Sequence, residues 1–243
     1  MATKNKEAHD AQKGNGATQQ KDLGTMLRTD ASSATEQTSQ KRYTGREIVD
    51  LYRSGRRDFE GINAGNANLH GANLIGANLA GAKLFDADLH GADLSSANLH
   101  GADLRGADLS GAKLFDADLS GADLEDADLA FANLTGANLD VVYLTDANLK
   151  GAKLRFATLI RANLAGAKLF DADLEDANLF DADLTDADLA GANLTRANLI
   201  GANLTRADLE GANLTWTKLA GADLTFANLR GAKLEGADRL ATE

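Results

Sequence analysis

Leucine stands at every fifth position from Leu69 to Leu234, thirty-four times in succession and in one frame. Two residues before each of these slots sits alanine, from Ala67 to Ala237, with Val142 and Thr217 as the departures. The residue between is Asn, Asp or Lys, apart from Tyr143 and Thr158. A fixed short period of this kind marks a solenoid. A straight α-helix cannot use it: at roughly 100° per residue, successive leucines step by about 140° and spread round the whole circumference. A straight strand cannot use it either, because five is odd and successive leucines alternate between faces.

Within one unit, Ala and Leu lie two apart and share a face, while the Asn or Asp between them points away. Keeping every Ala–Leu pair on one side requires a turn after each unit. The two remaining positions, often ending in Gly, are expected to supply it, since glycine reaches backbone angles closed to other residues. A chain that turns in one sense every five residues winds into a coil with its leucines inward. The number of units per coil does not follow from this argument.

The run Ala67 to Asp238 resembles the pentapeptide-repeat family. That resemblance implies an all-β solenoid, a right-handed quadrilateral β-helix with four units per coil. Counted from Phe59, it implies about nine coils stacking to roughly 43 Å at about 4.8 Å per layer. The stretch Gly45-Arg46-Glu47-Ile48-Val49-Asp50-Leu51-Tyr52, with Arg57-Asp58-Phe59, also resembles the capping segment of cyanobacterial members.

Three segments are expected. Residues 1–42 hold only Leu23, Met26 and Leu27 as large apolar side chains and read as a disordered polar tail. Residues 43–56 read as a capping helix: Thr44 and Glu47 suit a capping box, Tyr43 and Ile48 a hydrophobic staple, and Gly55 the position after the last turn. Residues 57–240 form the solenoid, with no comparable lid after Asp238. That bare end predicts a C-terminal twofold homodimer. No apolar leader follows Met1 and no run is long enough to span a membrane, so a cytoplasmic bacterial protein is expected.

Charge is divided unevenly. Residues 1–56 carry ten Lys or Arg against seven Asp or Glu, net +3; residues 57–243 carry fifteen against twenty-nine, net −14. Direct nucleic-acid binding by the rod is therefore not expected. With four units per coil, residues twenty apart stack. Asp103, Asp123 and Asp183 then share one wall, with Asp126, Asp146 and Asp186 at its trailing corner; that wall totals −6 and its neighbour −4. The asymmetry suits steering of a basic partner. On another wall Ile160, Phe180 and Ile200 fall in register, which reads either as a ladder stabilising the sheet or as a docking strip. A coil rich in basic and aromatic residues, with Val141, Tyr143, Phe156 and Ile160, is a second candidate docking surface.

No catalytic constellation emerges. The carboxylates are outward and repeated, so nothing separates one pKa from another. His70 and His90 stack one coil apart without a third converging ligand. No serine has a fixed histidine partner, and no phosphate-cradling glycine motif precedes a helix. The reading is a non-enzymatic rod, without metal or cofactor, that presents acidic and apolar faces to protein partners. The resemblance offers an alternative: a DNA-mimicking regulator or protector of DNA gyrase. Against it, about 25 phosphates fill 43 Å of duplex at about 1.7 Å per charge, well above the rod's net charge. The chain also lacks the interior phenylalanines and looped interruptions of quinolone-resistance members.

Overall fold

The computed structural model describes residues 41–238. The readings for residues 1–40, and for the chain beyond Asp238, lie outside the described residues. The rest starts from one helix, α1 (Gly45–Arg53), which is shorter than the 43–56 expected from sequence. Thr44 is its N-cap, and the capping box with Glu47 is present in both directions. Ser54 closes the helix with αR angles, and Gly55 follows at φ +103°. Ile48 is fully buried, Tyr43 nearly so, and Val49, Leu51 and Tyr52 pack partly buried against the same core. Arg42, assigned to the tail from sequence, instead forms a parallel bridge with Asn63. Its guanidinium also donates to the Gly65 carbonyl.

From Asp58 onward the chain winds with a period of twenty residues. Parallel bridges join Asp58 to Asn78, Asn63 to Lys83, Asn68 to Asp88 and Asn73 to Asp93, and the pattern runs on to Asn213 and Lys233. Four walls result, carrying Leu79, Leu84, Leu69 and Leu74 respectively and their successors every twenty residues. We call these the first, second, third and fourth walls. The Ala and Leu positions form one continuous core, with Leu74 to Leu214 essentially inaccessible. At the end of the described chain Leu224 and Leu229 are only partly buried.

Backbone donors are satisfied partly within a unit and partly by the neighbouring coils, which is why so short a period can be sustained. Around Leu89, the Leu89 N–H donates to the Asp108 carbonyl (2.7 Å), the Gly91 N–H to Ser110 (2.9 Å) and the Asp88 N–H to Ala67 (3.0 Å). The Ala92 N–H closes a turn onto Leu89 (2.9 Å). The fifth donor, on His90, is accepted by the Asp88 side chain (3.1 Å). The same side-chain bond recurs at Asn68, Asn98, Asp128, Asn178 and Asp208. Asn and Asp therefore fill the middle position for a local reason: they bond the backbone two residues on.

The corners differ from expectation. Every corner residue from Gly61 to Gly236 has φ near +60°, the mark of a type II turn, but many are not glycine. Aspartate takes the position often, as at Asp86, Asp126 and Asp146, and so do Val141, Phe156, Arg196 and Trp216. Asp tolerates left-handed angles through local hydrogen bonding. For Val141, Phe156 and Trp216 the strain is carried by the ladders on either side.

Thr217, which breaks the alanine rule, is buried and donates its hydroxyl to the Leu194 carbonyl (2.8 Å). Val142 is fully buried in an alanine slot.

Candidate interaction surfaces

The second wall stacks Lys83, Asp103, Asp123, Tyr143, Asn163, Asp183, Asn203 and Asp223 in consecutive bridges. Asp103 and Asp123 lie one above the other, and Arg105 spans both, at 2.8 Å and 3.5 Å. The Arg105 hydrogen bonds hold the Asp103 carboxyl below the usual carboxylate range, against the opposing effect of burial. Asp183 is bonded along its own wall, accepting from the Thr185 N–H (3.0 Å) and hydroxyl (2.6 Å). At the trailing corner, Asp186 is paired with Arg206 (2.5 Å), which lowers its pKa. Asp126 and Asp146 are exposed corner residues in successive coils and make no ion pair among the described residues. The acidic run foreseen from the sequence is thus interrupted: arginines cover Asp103, Asp123 and Asp186, and of the six acids foreseen Asp126 and Asp146 are the exposed ones without an ion pair among the described residues.

Tyr143 stands on that wall directly after Asp123 and is 50% exposed. Val141, at the leading corner of the same unit, is also exposed. Phe156 does not join them. It occupies a corner at one end of the first wall, with Ile160 at the other end and Thr158 between. The aromatic coil expected to form one surface is therefore split between two walls. Arg155 sits 5.5 Å from the Phe156 ring and pairs with Glu175 (3.1 Å), and Arg196 joins Glu175 to Asp176.

Ile160, Phe180 and Ile200 do fall in register on the first wall, each following a rung joined to the next. They are only half-buried, not fully exposed, because neighbours twenty residues away cover one another. The Ile160 N–H has lost its local acceptor, since Thr158 replaces Asn or Asp, and donates to Asp140 one coil earlier (2.9 Å). This geometry favours a sheet-stabilising ladder.

On the third wall His70 stacks on His90, with ring centroids 5.0 Å apart and planes inclined by 21°. Contrary to the expectation that no serine has a histidine beside it, His90 Nδ1 lies 2.7 Å from the Ser110 hydroxyl and His100 Nδ1 2.9 Å from the Ser120 hydroxyl; the two serines donate to Asp108 and Asp118. Burial alone pushes the Asp108 carboxyl up; its bonds from Ser110 and the nearby histidines outweigh that and lower it. The serine proton is aimed at a carboxylate and not at an imidazole, the reverse of a nucleophile relay. Among the described residues no group of three His, Cys, Asp or Glu side chains is placed to hold a metal ion. No described helix is long and apolar enough to cross a membrane.

These features define a four-walled parallel β-solenoid with a side-chain-bonded surface and no enclosed reaction site among the described residues. The profile for pentapeptide repeats matches the chain in eight overlapping copies from residue 58 to residue 238. The chain belongs to the pentapeptide-repeat family. Among solved structures it is similar to HetL, described as a pentapeptide repeat protein involved in heterocyst differentiation regulation in the cyanobacterium Nostoc sp. strain PCC 7120. That match has 38% identity, covering 80% of this chain and 96% of HetL, with a TM-score of 0.48. It is similar to Rfr23 of Cyanothece 51142, with 31% identity over 56% of this chain and 60% of Rfr23, and a TM-score of 0.21. It also matches QnrB1, described as a plasmid-mediated fluoroquinolone resistance protein, with 20% identity over 61% of this chain and 84% of QnrB1, and a TM-score of 0.39. No curated protein matched the sequence.

Proposed function

We propose that the chain is a non-enzymatic docking rod: a right-handed quadrilateral β-helix of about nine coils, capped by α1, that binds a basic segment of a partner protein on its second wall. The observation that carries this reading is the exposed Tyr143 ring, set after Asp123 on a wall whose trailing corner presents Asp126 and Asp146 without cationic partners among the described residues. An exposed aromatic beside free carboxylates suits a Lys or Arg side chain, which can lie against the ring while its charge is met. The half-buried Ile160, Phe180 and Ile200 row supplies stiffness and a secondary contact strip. The arginines that cover Asp103, Asp123 and Asp186 break the even spacing of charge that duplex mimicry needs. They therefore favour a basic segment of a partner over a duplex-binding surface such as that of gyrase.

The test is capture from source lysate with the intact protein and with a Tyr143→Ala, Asp126→Asn, Asp146→Asn variant. A partner retained by the first and lost by the second supports the proposal; an unchanged set of retained proteins removes it. A supercoiling assay with purified gyrase decides the alternative, since inhibition or protection at micromolar protein would restore it.

Self-association has its own observation. In the last described coils Phe226 is 84% exposed, Trp216 60% and Leu234 44%, an apolar rim beside a thinning core. We read this rim as the contact of an end-to-end twofold dimer. Sedimentation at micromolar concentration measures it directly, and a strictly monomeric mass contradicts it.

A further inference from the structure

We propose that the groove between α1 and the first coil receives an extended, carboxylate-bearing segment of a partner protein, a site independent of the acidic wall. The groove encloses about 1180 Å³. One side is the α1 stripe Arg46, Val49, Asp50 and Arg53, spaced to share a helix face; the other is the upper edge of the first coil from Gly65 to Asn73. Arg42, Arg46, Arg53 and Arg57 line it, and Asp50 is its only acidic residue among those described. Arg57 is fixed at 3.8 Å over the Tyr52 ring, and Arg42 is fixed on Gly65. Arg46 and Arg53 remain 92% and 76% exposed, held only at 3.9 Å from Asp50.

The edge of the coil asks for hydrogen-bond acceptors. Along the rod, asparagine amides donate to the side chain one coil earlier: Asn78 to Asp58 (2.9 Å), Asn148 to Asp128 (3.0 Å), Asn193 to Asp173 (3.0 Å) and Asn228 to Asp208 (2.9 Å). In these pairs, as in Asn138 on Asp118, the acceptor is a carboxylate; elsewhere it is an amide oxygen (Asn98 on Asn78, Asn198 on Asn178) or a threonine hydroxyl (Asn203 on Thr185, Asn213 on Thr195), and it is the arginines of the groove that select a carboxylate among such acceptors. Asn68 and Asn73 are the first rungs of the third and fourth walls, so no coil precedes them. Their Oδ1 atoms accept from His70 and Ile75 in the usual way. Among the described residues their amide N–H groups have no acceptor, and both residues are exposed where the later Asn and Asp rungs of these walls are half-buried as far as Asn213. A carboxylate placed above each would continue the ladder.

A single small anion cannot meet both amides and both arginines. Arg46 and Arg53 are seven residues apart on α1, roughly 10 Å along its axis, and the two asparagines lie on adjoining walls. A chain in extended conformation sets alternate side chains about 7 Å apart, so carboxylates two and four residues apart bracket that spread. The chain's own residues 1–40 carry five Lys or Arg and five Asp or Glu, net zero, and so offer no charge complement.

The test uses the full-length protein and a fluorescein-labelled peptide of alternating Glu and Val, with a Gln/Val peptide as control, read by fluorescence anisotropy. The Glu peptide should bind and the Gln peptide should not, with affinity falling as salt rises. Arg46→Glu with Arg53→Glu should weaken binding by about tenfold or more. Asn68→Asp with Asn73→Asp keeps the bonds to His70 and Ile75, removes the amide donors and should cost about tenfold. Thermal midpoints verify that both variants are folded. Equal binding of the two peptides, or undiminished binding by either variant, overturns the proposal. So does equal binding of a single-stranded oligonucleotide of matched charge, which would reduce the site to general anion attraction. Cross-links from residues 1–40 into the groove of the free protein would reassign it to the chain's own tail.

Discussion

Asn98 donates from its side-chain amide to Asn78 Oδ1 at 3.0 Å, one coil earlier, and the same Oδ1 accepts the Ala80 N–H at 3.3 Å. One atom thus joins a turn to a ladder. Asn98→Asp keeps an acceptor for the His100 N–H but faces Asn78 Oδ1 with a second acceptor in place of a donor. A loss of about 1 kcal/mol is expected, measured as a lower midpoint in guanidinium unfolding. An unchanged midpoint would show that the amide ladder contributes nothing net.

Backbone strain is concentrated where the corner is β-branched. Val141 holds φ at 58°, an outlier for its type. Val141→Gly relieves that strain while adding unfolded-state freedom, so a net gain of about 0.5–1 kcal/mol is expected. The complementary change is Gly71→Ala. Gly71 has φ of 61°, and nothing lies within 4 Å of a Cβ placed there, so its cost is conformational alone. It should destabilise by about 1 kcal/mol. Thermal unfolding of both variants reads out the opposite signs.

Acid should weaken the rod. Asp103 and Asp186 are lowered chiefly by Arg105 and Arg206, and Asp223 by the Thr225 hydroxyl. A carboxyl whose folded pKa lies below its unfolded value stabilises the fold above the unfolded pKa, about 3.9 for Asp, and loses that contribution as pH falls through the folded value. Stability should therefore be level from neutral pH down to about 4–5 and decline below it. These groups are solvent-facing, so the slope should be shallow and shrink in salt. A decline beginning above pH 6 would contradict this.

The leucine period carried most of the architecture, because an odd, unbroken five-residue repeat leaves a turning coil as the arrangement that buries every leucine. It did not reveal why the middle position is Asn or Asp. The signal was present: Asp88 lies two residues before His90, the spacing at which such a side chain reaches the backbone. Nor did it show that Phe156 or Arg196 could hold a corner, since that tolerance comes from ladders on neighbouring coils and not from the residue itself. The acidic wall was legible as a column of residues. Its partial neutralisation was not, because Arg206 pairs with Asp186 across a full coil and Arg105 with Asp123 across eighteen residues. The split between Tyr143 and Phe156 follows from corner geometry that a list of unusual residues does not contain.

Everything proposed for the walls depends on residues twenty apart being side by side. The protein has no cysteine, so an introduced pair reports without interference. Asp118 and Asn138 touch through a 3.1 Å hydrogen bond on successive coils. Asp118→Cys with Asn138→Cys should oxidise readily to a disulfide in the folded protein, while Asp118→Cys with Asn133→Cys, one wall out of register, should stay reduced. Rapid oxidation of the second pair and failure of the first would contradict the twenty-residue coil.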